Sequence, residues 1–79
     1  MKQVMSAGAL DPLTKELIYA AVSISNQCDY CIASHIAGAR AKGMTDAQLK
    51  ELIAIVGLAN ANNRIAAALQ VEIDEQFKG

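Results

Sequence analysis

Apolar residues recur at three- and four-residue spacing along nearly the whole chain, and nowhere do they alternate with polar residues over a stretch long enough for a strand. Leu13, Leu17, Ala20, Ala21 and Ile24 form a first run, and Ile32, Ile36, Ala37 and Ala39 a second. Leu49, Leu52, Ile53 and Val56 form a third, followed by Ile65, Leu69, Ile73 and Phe77. Helix boundary signals fall between the runs. Asp11-Pro12 is a start, with Asp as cap acceptor and Pro at the first helical position, where its missing N–H costs nothing. It predicts a helix from about Pro12 to Ser25, broken by Asn26-Gln27. Asp29 reads as the cap of a second helix ending at Gly43, where glycine supplies a left-handed residue cheaply. Thr45-Asp46-Ala47-Gln48 has the capping-box form and opens a helix to about Leu58. Asn60, Asn62 and Asn63 then interrupt the pattern, as a break or as a kink in one longer helix, before a last helix that reaches Phe77. The expected fold is all-α, a small bundle of three to four helices forming a single domain over residues 1–79.

Size makes such a bundle marginal alone. A domain of 79 residues buries only about 60% of the surface its unfolded chain exposes. Its apolar fraction of 53% is built from small side chains, including 15 alanines, with no Trp and Phe77 as the one Phe. A second subunit covering the apolar faces is the expected remedy, so a homo-oligomer is expected. Charge excludes other classes. Lys and Arg number 7 against 8 Asp and Glu, without a basic run, which leaves no footprint for DNA or RNA. No window approaches 18 uninterrupted apolar residues, and Met1-Lys2-Gln3-Val4 has neither the apolar core nor the cleavage site of a leader. A soluble cytoplasmic protein without a membrane partner is expected, and in that compartment paired thiols point to redox, catalytic or metal-binding work.

The chemistry concentrates in Cys28-Asp29-Tyr30-Cys31 and His35. Cys31 and His35 lie four residues apart, on one helix face and within mutual reach. Cys28, at the amino end of the same helix, faces free backbone N–H groups and the positive end of the dipole, which favour the thiolate. Two such thiols can close into a disulfide with little backbone movement, so that one attacks and the other resolves, while His35 takes or supplies a proton. Two other readings stay open: a pair of core cysteines, and zinc held by Cys28, Cys31, His35 and a carboxylate. The zinc reading lacks the second ligand pair of most structural sites, and no metal or cofactor is expected. Glu16, beside the apolar Leu13, Leu17 and Ala20, is either a solvated first-turn acid or a proton acceptor reaching His35 or a cysteine.

Glu16 followed by Cys28, Cys31 and His35, in the setting Thr14-Lys15-Glu16-Leu17-Ile18, Ala39, Gly43 and Asn63-Arg64, resembles the carboxymuconolactone decarboxylase family, and within it the alkylhydroperoxidase D-like branch. The resemblance covers roughly residues 10 to 75. It implies a helical fold in symmetric oligomers, trimers or hexamers, whose domain begins somewhat earlier than Met1. It implies an antioxidant enzyme, a thiol-dependent peroxidase or disulfide reductase acting on a hydroperoxide and recycled by a dithiol donor. Cys28 and Cys31 would then be the redox couple, and Glu16 and His35 the proton relay. Cys31, beside His35, is favoured as the thiol that meets peroxide, with Cys28 more open to the dithiol.

One position departs from that branch. Tyr30 stands where its best-known members carry a His between the cysteines, and a phenol is no base near neutral pH, which weakens the relay. A redox-sensing or disulfide-exchanging module without turnover is the alternative. A decarboxylase-type lyase is a third and is disfavoured, since that branch does not rely on the cysteine pair. Asn62, Asn63 and Arg64 read as helix capping and a subunit-edge ion pair, or in Arg64 as a partner for Glu16, Asp29 or an anionic substrate; Met5 and Met44 read as core filler.

Overall fold

The computed structural model describes residues 2–79 and, among them, only helices: α1 (Lys2–Met5), α2 (Pro12–Ser25), α3 (Asp29–Ala41), α4 (Asp46–Leu69) and a single 3₁₀ turn, Glu75–Phe77. The all-α expectation holds. Asp11 opens α2, its Oδ1 accepting the Thr14 N–H at 2.8 Å, with Pro12 in the first turn. Thr45 and Gln48 form the reciprocal capping box that opens α4, at 3.1 and 2.9 Å.

The two turns that frame α3 share one hydrogen-bond pattern. After α2, Gln27 adopts a left-handed φ of 57°, its N–H bonds the Ile24 carbonyl, and the Cys28 N–H bonds that of Ser23 at 3.1 Å. After α3, Gly43 takes φ 105°, and the Met44 N–H bonds the Ala39 carbonyl at 2.9 Å. Both use up carbonyls that a helix end leaves free. At the second turn the buried Met44 also closes over the buried Ala39, so Met44 is core as expected, while Met5 lines an outer cleft.

Three expectations are corrected. Cys28, not Asp29, caps α3: its Sγ accepts the Cys31 N–H at 3.4 Å, and Asp29 is the first helical residue. Of the two readings of the asparagines, the break is overturned and the one longer helix holds, since α4 runs for 24 residues. Asn60 directs its amide to the Val56 carbonyl and the Ser25 hydroxyl of α2, both at 3.0 Å, so it serves a tertiary contact inside the helix. The last helix stops at Leu69, where Gln70 turns left-handed (φ 51°), leaving Ile73 in irregular chain and Phe77 in the 3₁₀ turn. The four-residue α1 was not foreseen.

α2 packs chiefly on α3, and less extensively on α4. The interior is small: Ala20, Ala39, Met44 and Val56 are its buried apolar residues. By length and composition alone α4 is long and apolar enough to cross a membrane, yet Val56 is buried and Asn60 hydrogen-bonds the helix to Ser25 of α2.

Candidate redox site

Two stripes of side chains meet where α2 lies on α3. Glu16, Tyr19, Ala20 and Ser23 follow the helical period on α2; Cys31, His35, Gly38 and Lys42 follow it on α3. The Ser23 hydroxyl is turned inward and donates to the Tyr19 carbonyl at 2.8 Å. Ser23 also anchors the turn that delivers Cys28 to the head of α3.

Cys28 and Cys31 are joined by a disulfide with a Cα–Cα distance of 5.2 Å, inside the range such a bond spans without moving backbone. Both residues are half-buried, so the bond stands at the surface rather than in a core. The reading as a pair of buried core cysteines fails on that exposure. No cluster of three or more His, Cys, Asp or Glu side chains suited to a metal occurs among the described residues.

Glu16 is buried, at 7% exposure, so the solvated-acid reading of this residue is overturned. A carboxylate withdrawn from water needs partners. Its Oε2 lies 2.8 Å from His35 Nδ1, and its Oε1 lies 3.6 Å from Lys42 Nζ. An ionised carboxylate can only accept, so His35 donates to it through Nδ1–H; in the neutral ring that leaves the Nε2 lone pair free. Helical side chains lean toward the amino end, which carries the His35 ring toward the turn holding Cys31. Tyr19 fixes the ring from its face, with centroids 3.5 Å apart and planes 21° from parallel.

Gly38 makes this approach possible. A Cβ there would sit 2.8 Å from Glu16 Oε2 and 3.0 Å from its carboxyl carbon, closer than real contacts allow. Sequence reasoning missed Gly38, Lys42 and Tyr19. The available signal was the period: Gly38 and Lys42 lie three and seven residues after His35, on the face that already carries Cys31. Tyr30 is 83% exposed, whereas Glu16 is buried. Asn62, Asn63 and Arg64 lie exposed on the second half of α4, and the cation beside Glu16 is Lys42 rather than Arg64.

The sequence profile of the carboxymuconolactone decarboxylase family matches residues 1–72. The chain belongs to that family. Among solved structures, the alkylhydroperoxidase AhpD core from Rhodospirillum rubrum shares this family fold with a TM-score of 0.92 and 57% identity. The match covers 96% of this chain and 57% of that one. An alkyl hydroperoxide reductase AhpD from Solibacter usitatus is 35% identical over 91% of this chain, which spans 39% of that protein. A Paracoccus denitrificans protein named uncharacterized protein 4 in cox locus is 42% identical over 92% of this chain and 70% of its own length. The chain is thus a carboxymuconolactone decarboxylase family domain of the AhpD-like kind that carries a Cys-x-x-Cys pair.

Proposed function

We propose that this protein is a thiol-dependent hydroperoxide reductase that cycles Cys28 and Cys31 between dithiol and disulfide, with Glu16 and His35 as its proton relay. The observation that carries the reading is the Glu16–His35 hydrogen bond on the same α3 face as a closed Cys28–Cys31 disulfide. Similarity to AhpD proteins supports the redox class.

The steps follow from the geometry. In the reduced protein His35 Nε2 takes the Cys31 proton, and Glu16 stabilises the resulting imidazolium across Nδ1–H. The thiolate attacks the outer peroxide oxygen; the O–O bond breaks, Cys31 becomes a sulfenic acid, and His35 returns the proton to the departing alkoxide as alcohol. Cys28 then attacks the Cys31 sulfur, expelling water and forming the disulfide. An external dithiol attacks Cys28, passes through a mixed disulfide and leaves as a cyclic disulfide, restoring both thiols. The working form is a cytoplasmic homo-oligomer, trimeric or hexameric, because one chain leaves too little interior to exclude water from the relay.

Turnover of an alkyl hydroperoxide with dithiothreitol or a reduced lipoyl compound tests this. Cys28→Ser and Cys31→Ser should each lose turnover, with Cys28→Ser accumulating a Cys31 sulfenate that dimedone traps, and Glu16→Gln should fall about a hundredfold. Full turnover in both serine variants would sink the reading. A second reading, a redox-sensing or disulfide-exchanging module, draws on the exposed Tyr30 between the cysteines. It requires one stoichiometric oxidation that no dithiol reverses catalytically.

A further inference from the structure

Lys42 ends α3 one turn beyond Gly38, and its ammonium approaches Glu16 Oε1 at 3.6 Å while His35 holds Oε2 at 2.8 Å. Unlike the imidazole, whose charge depends on its protonation, Lys42 is the fixed positive charge facing that buried carboxylate among the described residues. Other charges nearby are engaged elsewhere. On α2 itself, Lys15 donates to the Val4 and Ser6 carbonyls at 2.7 and 2.6 Å. On α3, Arg40 pairs with Asp46 at 2.7 Å, and Asp29 lies exposed at the opposite end. On α4, Glu51 lines the groove beside Thr14, Leu17 and Ile18, on a different face of α2 from Glu16 and Tyr19.

We infer that Lys42 is a positioning residue that acts through Glu16: its charge keeps the buried carboxyl ionised, and so keeps His35 in the tautomer whose Nε2 can accept the thiol proton. The logic is one of hydrogens. With Lys42 present, Glu16 accepts from Nδ1–H and Nε2 is bare. Without it, one proton from water can take the place of the missing charge: Glu16 then donates to Nδ1, the ring hydrogen sits on Nε2, and the base is removed. No electrons move in this step; the Glu16–His35 pair takes up one proton from water, which replaces the charge of the lost ammonium. The inference deepens the proposed relay and rests on it, but its readouts need no turnover.

His35 is the sole histidine of the chain, so ¹⁵N spectra of the reduced protein report its tautomer without overlap. At neutral pH the wild type should show hydrogen on Nδ1, and Lys42→Met should show it on Nε2. Iodoacetamide labelling of Cys31 across pH gives the second readout. Lys42→Met should move the half-maximal rate up by about one pH unit, roughly tenfold slower labelling at neutral pH, and Lys42→Arg should restore it. In a Glu16→Gln background, Lys42→Met should shift nothing further. An unmoved tautomer and profile would overturn the inference, because a cation serving only the carboxyl end of α3 would change melting temperature alone. A shift that persists with Glu16→Gln would overturn it too, showing Lys42 acting on the thiol directly. If Lys42→Met fails to fold, Lys42→Gln carries the same tests. Should the wild type lack peroxide turnover while these shifts appear, the relay stands and the peroxidase reading fails.

Discussion

Gly38 lets α3 lie against the Glu16 carboxylate, and two opposing effects meet when its hydrogen is replaced by methyl. Alanine gains about 1 kcal/mol of helix propensity over glycine. The new carbon, 2.8 Å from Oε2, must push the carboxylate aside. A carboxylate is the movable end of its side chain, so it can give way, but the His35 bond does not survive the displacement, and the loss of a partner for a buried charge offsets the helix gain. Gly38→Ala should therefore melt within a few degrees of the wild type and reduce peroxide at least about tenfold more slowly, as thermal melts and turnover assays would show together. The residues to which the proposed cycle assigns the chemistry, Cys28, Cys31 and His35, were legible from identity and spacing. Glu16 was legible only as two alternatives, because burial decides between them. Gly38 and Lys42 were not legible: a small residue and a terminal cation gain their meaning from a carboxylate on another helix.

Helix boundaries could be read wherever a short-range hydrogen bond sets them. Asp11-Pro12, Gly43 and the Thr45–Gln48 box stand where the sequence places them. Asp29 as a cap did not, since the preceding sulfur takes that position; nor did the Asn cluster mark a boundary, since Asn60 spends its amide across the α2–α4 contact. Asp11 carries a pH consequence. The Thr14 N–H and hydroxyl both donate to it and hold its carboxyl below the usual 3.8. A lowered folded-state value means the cap contributes fully above the unfolded value and is lost as pH falls through the folded one. The gap in melting temperature between wild type and Asp11→Ala should stay constant above about pH 5 and close in more acid solution. Asp11→Asn, which caps without a charge, should keep its advantage over alanine throughout.

A compact domain of this length has a radius of gyration of roughly 12 Å, and this chain has 15.0 Å with a long axis of 41 Å. α4 alone, at 24 residues, is about 36 Å long, and every residue from 61 to 69 on it is exposed. Ala54, Leu58, Ala61, Ile65 and Ala68 repeat at four- and three-residue spacing on the side away from Leu49, Leu52 and Val56, and Leu58, Ile65 and Leu69 are exposed. A stripe with that period fits another helix. Light scattering should accordingly find a mass well above 8.3 kDa, and Leu58→Asp with Ile65→Asp should lower the mass, the melting temperature and peroxide turnover together. Unchanged mass in the double variant would exclude this stripe as the contact.

Cys28 has two duties at the head of α3, being both the helix cap and half of the disulfide. When the pair is reduced, a thiolate at that position gains the free N–H groups and the dipole's positive end, an attraction the uncharged disulfide cannot collect. Around the thermodynamic cycle that gain belongs wholly to the reduced state. Each 1.4 kcal/mol of it raises the reduction potential by about 30 mV. In the proposed cycle the helix would thus act as a bias on the couple, pulling electrons from a dithiol donor more strongly than the same four residues would in an unfolded peptide.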